Sequence, residues 1–153
     1  MVVNTHSPFS AQTAPRTSVQ TLIVDDSPAM LKLVALSLKR AGNFDLVGSA
    51  TNGSQALRYV SALSPELVLM DIHMPKLNGI EATHYIKQRE HPPVVILITS
   101  DDDFLTRSKA EEAGADGFII KDENLRNSLM AVLQDSFGPS RTRAPSLQLA
   151  AQT

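Results

Sequence analysis

Two hydrophobic patterns alternate along residues 20–137: short apolar runs, and stretches in which apolar residues recur at helical spacing. In the first such stretch Leu31, Val34, Ala35 and Leu38 stand at i, i+3, i+4 and i+7, which is the pattern of an amphipathic helix. The apolar runs predict strands at 20–24, 44–50, 67–70, 94–98 and 116–120. The pattern predicts helices after Ser27, around Ala56–Val60, at 79–89, after Asp101–Asp103 and around Leu125–Val132.

Helix boundaries are marked by capping residues. Ser27 is a favourable N-cap, and Pro28 then occupies the first helical position. We expect Gly42 and Gly114 to end the first and fourth helices, Asn52-Gly53 to form a turn, and Ser100 to cap a helix. These signals divide the chain into βα units.

Five βα units in series predict an α/β fold, namely a five-stranded parallel sheet that is doubly wound, with helices on both faces. The runs Leu67–Met70 and Val94–Ile98 are apolar at every residue, as expected of central strands covered on both faces. In such sheets ligands bind at the carboxyl ends of the strands, near a switch in strand order. The residues at those ends are therefore the candidates for function.

Composition sets the boundaries of the domain and its surroundings. Serine and proline residues and few large apolar groups predict a flexible arm at 1–18 and a flexible tail at 138–153, around a domain at 19–137. The 153 residues carry a net charge of -2 and no cysteine, which argues against nucleic-acid binding, thiolate chemistry and cysteine-ligated metals. The apolar runs are too short to span a bilayer and the N-terminus lacks a secretory signal, so we expect a cytoplasmic protein without membrane insertion.

Acidic, hydroxyl and basic residues follow four of the predicted strands. They are Asp25-Asp26, Asp71, Thr99-Ser100 and Lys121. Carboxylates crowded together repel each other unless a cation compensates, and Mg²⁺ is the hard ion that prefers oxygen ligands. A carboxylate nucleophile, Mg²⁺, a lysine and a hydroxyl are the components of phosphoryl transfer. Asp71, after the most apolar strand, is the best candidate for the nucleophile.

Residues 20–137 resemble the receiver domains of two-component response regulators. The matching segments are LIVDDSP (22–28), LVLMDIHMPKLNGIE (67–81), VVILITS (94–100) and GADGFIIKD (114–122). The resemblance implies a flavodoxin-like fold and gives each residue a role. By this resemblance Asp71 would be the phosphoacceptor, and Asp25, Asp26, Asp71 and the backbone carbonyl of His73 would hold Mg²⁺. Lys121 would pair with the phosphate, and Thr99 and Phe118 would be the switch residues. Asp122 replaces the proline that many receivers join by a cis peptide. A cis peptide before any other residue is costly, which favours trans after Lys121, but the sequence leaves the geometry of this peptide open.

The resemblance also implies partners. A sensor histidine kinase or histidine phosphotransfer protein would donate the phosphoryl group, and the fourth helix, fifth strand and fifth helix would form the face that contacts a downstream protein. The tail to Thr153 has no helix-turn-helix pattern, so we expect a single-domain regulator similar to those of chemotaxis, which is not an enzyme beyond its own phosphorylation and dephosphorylation. Two alternatives remain: a Mg²⁺-dependent phosphatase that uses an aspartyl phosphate, and a degenerate receiver that binds without phosphorylation.

Phe118 and His73 also have ordinary interpretations. An aromatic residue on a strand is often only part of the core, and a histidine after a strand is often a solvated loop residue. Asp101–Asp103 is most simply a capping and solvation cluster. Gly48–Gly53 has the terminal glycines of a P-loop, but Ser54-Gln55 replaces its Lys-Ser/Thr, which argues against nucleotide binding.

Overall fold

A computed structural model describes residues 18–137, in which five strands alternate with five helices. The strands are β1 (Val19–Val24), β2 (Phe44–Ala50), β3 (Leu67–Asp71), β4 (Val94–Thr99) and β5 (Gly117–Ile120). The helices are α1 (Pro28–Ala41), α2 (Gly53–Leu63), α3 (Gly79–Lys87), α4 (Phe104–Ala113) and α5 (Leu125–Phe137). Apart from Ser18, the predicted arm and tail lie outside the described residues.

All strand pairs are parallel, and the strand order is β2-β1-β3-β4-β5. Every residue of β3 is buried, because β1 and β4 flank it and helices cover both faces. One face packs against α2, α3 and α4 through residues such as Val60, Ile86 and Ala110. The other packs against α1 and α5 through residues such as Leu38 and Leu129. The predicted doubly wound, flavodoxin-like fold is confirmed.

The helix ends agree with the sequence in part. Ser27 caps α1 as predicted, and Gly42 ends it in the left-handed region with φ of 88°. Asn52 is not part of a turn but the N-cap of α2, because its side chain accepts a hydrogen bond from the amide of Gln55 at 2.9 Å. Asp103, rather than Ser100, caps α4 by accepting from the amide of Thr106 at 2.8 Å.

The start of β5 and the end of α3 also differ from prediction. Asp116 precedes β5 instead of opening it, because its carboxylate accepts hydrogen bonds from the amide of Val95 at 2.9 Å and from Lys87 Nζ at 2.7 Å. The helix α3 ends at Lys87 rather than at residue 89. Within residues 18–137, no helix combines the length and hydrophobicity needed to cross a bilayer.

Two glycines fix the loop that follows β3. The Gly79 amide donates to the carbonyl of Ile72 at 2.8 Å, and a Cβ on Gly79 would lie 2.1 Å from the carbonyl oxygen of Asp71. The Gly53 amide donates to the carbonyl of Leu77 at 2.9 Å, and a Cβ there would lie 2.3 Å from that oxygen. The backbone at both places approaches more closely than any side chain allows, so the loop is held firmly against α2 and β3.

Candidate phosphorylation site

Three carboxylates meet at the carboxyl ends of β1 and β3. Each of Asp25, Asp26 and Asp71 offers an oxygen, and these oxygens lie within 4.8 Å of one another. They meet because β1 and β3 are neighbours at the point where the strand order reverses. Asp25 and Asp71 are buried, with 5% and 6% of their surface exposed, whereas Asp26 is exposed. One side of the cluster is therefore open to solvent.

Lys121, which follows the edge strand β5, brings a positive charge to the cluster. Its Nζ lies 2.9 Å from Asp25 Oδ2 and 3.2 Å from Asp71 Oδ2. The lysine follows β5, and its backbone amide donates to the carbonyl of Thr99 at 2.7 Å, which anchors the start of its loop to β4. One ammonium thus contacts two of the three carboxylates, and the cluster keeps an excess of negative charge.

The titration behaviour of the cluster reflects that imbalance. Burial raises the pKa of Asp71 above its usual value, and the neighbouring charge of Asp25 adds to the effect, while Lys121 opposes it. Burial alone would lower the pKa of Lys121, but its hydrogen bond to Asp25 and the attraction of Asp71 outweigh burial and raise it. The lysine is therefore held in its charged form beside Asp71.

The donor set suits a divalent cation such as Mg²⁺. All three side chains offer carboxylate oxygens, which hard cations prefer, and exposed Asp26 leaves room for coordinated water. Within residues 18–137 no other group of three acidic, histidine or cysteine side chains comes as close together. The His73 ring contacts Asp101 instead, with Nε2 2.5 Å from Oδ2. The role of the His73 carbonyl stays a prediction.

Thr99 ends β4 beside the cluster. Its side chain is fully buried, and its Oγ1 accepts a hydrogen bond from the amide of Asp101 at 3.2 Å. A movement of this hydroxyl would therefore alter a hydrogen bond of the loop between β4 and α4. Ser100, by contrast, is exposed at the start of that loop and caps no helix.

Phe118 lies on β5 and belongs to the core, where none of its surface is exposed. The guanidinium carbon of Arg107 lies 5.3 Å from the centre of its ring. Phe118 is thus part of the core, which is the ordinary interpretation of an aromatic residue on a strand. Its role as a switch stays a prediction. No cis peptide occurs in residues 18–137, so the peptide between Lys121 and Asp122, whose geometry the sequence left open, is trans.

Two contacts at the rim of the site were absent from the sequence analysis. His73 reaches Asp101 across the loops that follow β3 and β4, and Arg107 joins Asp102 to Phe118. The acidic run was interpreted as a capping and solvation cluster: Asp103 does cap α4 and Asp102 is exposed, but the pairing of Asp101 and Asp102 with other side chains was not foreseen. The only available signal was that several acids stood together in a loop beside the strand ends.

A comparison with known families agrees with this geometry. The family described as the response regulator receiver domain matches residues 21–134. The chain belongs to this family. Receiver domains accept phosphoryl groups from kinases, and the family binds Mg²⁺ at an acidic pocket of the kind formed here by the three aspartates. Receiver domains are generally not enzymes in the ordinary sense, and the phosphatase alternative finds no support among the relatives named below.

Relatives of this receiver domain include transcriptional regulators. The transcriptional regulatory protein YdfI of Bacillus subtilis is 36% identical over 101 residues, covering 66% of this chain and 47% of YdfI. The DNA-binding transcriptional activator EvgA of Escherichia coli K12 is 26% identical over 111 residues, covering 72% of this chain and 54% of EvgA. The chain thus spans about half the length of the curated relatives it matches.

A solved structure shows the same fold. The receiver domain of the response regulator NarL from Mycobacterium tuberculosis superimposes with a TM-score of 0.73 at 29% identity, covering 81% of this chain and 98% of that one. Because the named relatives are transcriptional regulators, the expected likeness to single-domain chemotaxis regulators is not confirmed.

Proposed function

We propose that Asp71 accepts a phosphoryl group from a sensor histidine kinase or a histidine phosphotransfer protein, in a reaction that depends on Mg²⁺. One observation carries the proposal: Lys121 contacts Asp71 at 3.2 Å while Asp25 and Asp26 complete a carboxylate cluster within 4.8 Å. A lone acidic pair would serve as a helix cap, whereas an acidic cluster with one partly buried lysine suits a phosphoryl group and a metal ion.

The transfer forms one bond and breaks another. An Asp71 carboxylate oxygen attacks phosphorus, and the phosphorus–nitrogen bond of the donor phosphohistidine breaks. The imidazole nitrogen keeps the electron pair, and because the other ring nitrogen of the donor carries a proton, the imidazole leaves as a neutral group. The Lys121 ammonium, already 3.2 Å from Asp71, neutralises charge on a phosphoryl oxygen. Asp25, Asp26, Asp71 and the His73 carbonyl would hold Mg²⁺, which supplies further positive charge to the phosphoryl oxygens.

Thr99 and Phe118 would carry the consequence of phosphorylation away from the site. The Thr99 hydroxyl would donate a hydrogen bond to a phosphoryl oxygen, a contact that would exist only in the phosphorylated state. Only such a differential contact shifts a conformational equilibrium. Phe118, on the neighbouring strand, would respond through the packing of its ring, since it has no hydroxyl.

The face formed by α4, β5 and α5 would contact a downstream protein. Phe104 and Leu105 at the start of α4 are 85% and 60% exposed, which suits contact with a protein more than with nucleic acid. The net charge of -2 points the same way. We therefore place the action of residues 19–137 on a protein partner in the cytoplasm, without direct nucleic-acid contact, although EvgA as a whole is a DNA-binding activator.

The test is chemical phosphorylation. We expect acetyl phosphate with Mg²⁺ to add one phosphoryl group by intact mass, and chelation or Asp71→Asn to abolish the addition. The adduct should be lost in base, because an acyl phosphate keeps an electrophilic carbonyl. Asp45→Asn, which alters an exposed carboxylate on β2, is the matched control and should label normally. Phosphate located on Ser100 or His73, with Asp71→Asn labelled as wild type, would overturn the proposal.

A further inference from the structure

Arg107 on α4 connects a loop to a buried ring. Its guanidinium carbon lies 5.3 Å from the centre of the Phe118 ring, within the range of a cation–π contact. Its Nε donates to Asp102 Oδ1 at 2.8 Å, and its second terminal nitrogen contacts the same oxygen. The Arg107 side chain is 21% exposed and that of Asp102 is 57% exposed. The guanidinium therefore stands between the ring and the β4–α4 loop.

Both ends of this bridge lie close to the phosphorylation site. On the loop side, the amide of Asp101, next to Asp102, donates to Thr99 Oγ1 at 3.2 Å. On the strand side, Phe118 is three residues before Lys121, whose amide is bound to the carbonyl of Thr99 at 2.7 Å. A change at Thr99 thus reaches the loop and β5, and the guanidinium joins the loop carboxylate to the ring.

We propose that Arg107 is a positioning residue that couples the phosphorylation state of Asp71 to the packing of Phe118. When the Thr99 hydroxyl turns to a phosphoryl oxygen, the loop shifts, Asp102 moves with it, and the guanidinium changes its cover over the ring. The fork of an arginine suits this task because it holds a carboxylate while its flat face lies on an aromatic ring. The inference rests on the proposed phosphorylation of Asp71.

A simpler role is packing: the Arg107 side chain would only shield Phe118 from water. The two roles differ in what Asp102 does. Under simple packing, neutralising Asp102 leaves the ring unaffected. If Arg107 couples the loop to the ring, neutralising Asp102 changes the environment of the ring when Arg107 is present and has no effect when Arg107 is replaced. A double-mutant cycle on Asp102 and Arg107 measures this difference.

The measurement is ¹⁹F NMR of the full chain carrying 4-fluorophenylalanine at position 118 alone. In the unphosphorylated protein we expect Asp102→Asn to shift the resonance when Arg107 is present and to leave it unchanged beside Arg107→Gln. On phosphorylation with acetyl phosphate and Mg²⁺, the resonance should shift in wild type. In Arg107→Gln that shift should fall to less than about a third, with equal phosphate incorporated by mass. Arg126→Gln, which alters an exposed arginine on α5, is the matched control.

Two results would overturn the coupling: a full phosphorylation-dependent shift in Arg107→Gln, or an Asp102→Asn effect that is absent or equal in both backgrounds. Failure of the proposed function looks different, because wild type would then take up no phosphate on Asp71. In that case the Asp102/Arg107 double-mutant cycle, measured on the unphosphorylated protein, still decides whether Arg107 connects the loop to the ring. If the two substitutions act independently on the resonance, the role of Arg107 is refuted.

Discussion

Replacing Lys121 by methionine should strongly destabilise the receiver domain in the absence of Mg²⁺. The substitution keeps an unbranched side chain and removes the ammonium that contacts Asp25 at 2.9 Å and Asp71 at 3.2 Å. Both carboxylate side chains are only 7% exposed, so water replaces little of the lost interaction. Their mutual repulsion then acts without compensation.

The geometry gives the size of the effect. At an effective dielectric constant of about 20, unit charges at these two distances attract by about 5–6 kcal/mol each before desolvation is subtracted. Removing one partner of a buried ion pair costs about 3–5 kcal/mol net, which is the loss we expect. That is a large part of the about 5–15 kcal/mol by which domains of this size are stable.

Urea unfolding with and without Mg²⁺ provides the measurement. We expect Mg²⁺ to stabilise Lys121→Met more than wild type, because the cation now meets a more negative cluster. At a hundredfold excess over Kd the gain should approach about 2.7 kcal/mol. Lys32→Met, an exposed lysine on α1, is the control, and adding Asp71→Asn to Lys121→Met should restore part of the loss. A loss below about 0.5 kcal/mol, together with the Mg²⁺ response of wild type, would refute the charge argument.

Three further variants test the metal site, the switch hydroxyl and the N-cap of α4. In thermal melts, Asp26→Ala should lose most of the Mg²⁺-induced stabilisation; a response equal to that of wild type would contradict the metal assignment. Thr99→Ala should take up phosphate on Asp71 but lose phosphorylation-dependent partner binding, and tight binding would disprove the switch role. Hydrogen bonding from Thr106 lowers the pKa of Asp103 below its usual value, so the ionised carboxylate stabilises the folded domain, and this stabilisation is lost as the pH falls through the lowered pKa. Asp103→Asn keeps the cap and should lose that pH dependence of unfolding, which acid titration of both proteins would show.

The order and approximate bounds of the strands and helices were predictable, because the sequence patterns that mark them are local. Unbroken apolar runs mark β3 and β4, and Ser27-Pro28 and Gly42 mark the ends of α1. The site followed from topology, since parallel strands bring their carboxyl ends together whatever their separation in sequence. Asp25, Asp71 and Lys121 could thus be grouped before their distances were known.

Contacts between side chains of different loops were not predictable. Whether Ser100 or Asp103 caps α4 depends on how far the loop extends before the helix begins, and both residue types are good caps. The pairing of His73 with Asp101 depends on the conformations of the two loops that carry them. The contact of Arg107 with Phe118 depends on how α4 packs over β5. None of these has a sequence period or a spacing that marks it.

The close approaches at Gly53 and Gly79 have a consequence for genetic data. At both positions an added methyl group would collide with backbone carbonyl oxygens, and a backbone cannot move aside as a flexible side chain does. A scan of all substitutions should therefore find only the wild-type residue acceptable there, whether or not the cell contains a phosphodonor. At Asp71, by contrast, asparagine should give a folded protein that fails only when a signal arrives. Mutational tolerance measured with and without signal would thus separate positions that build the site from the position that reacts.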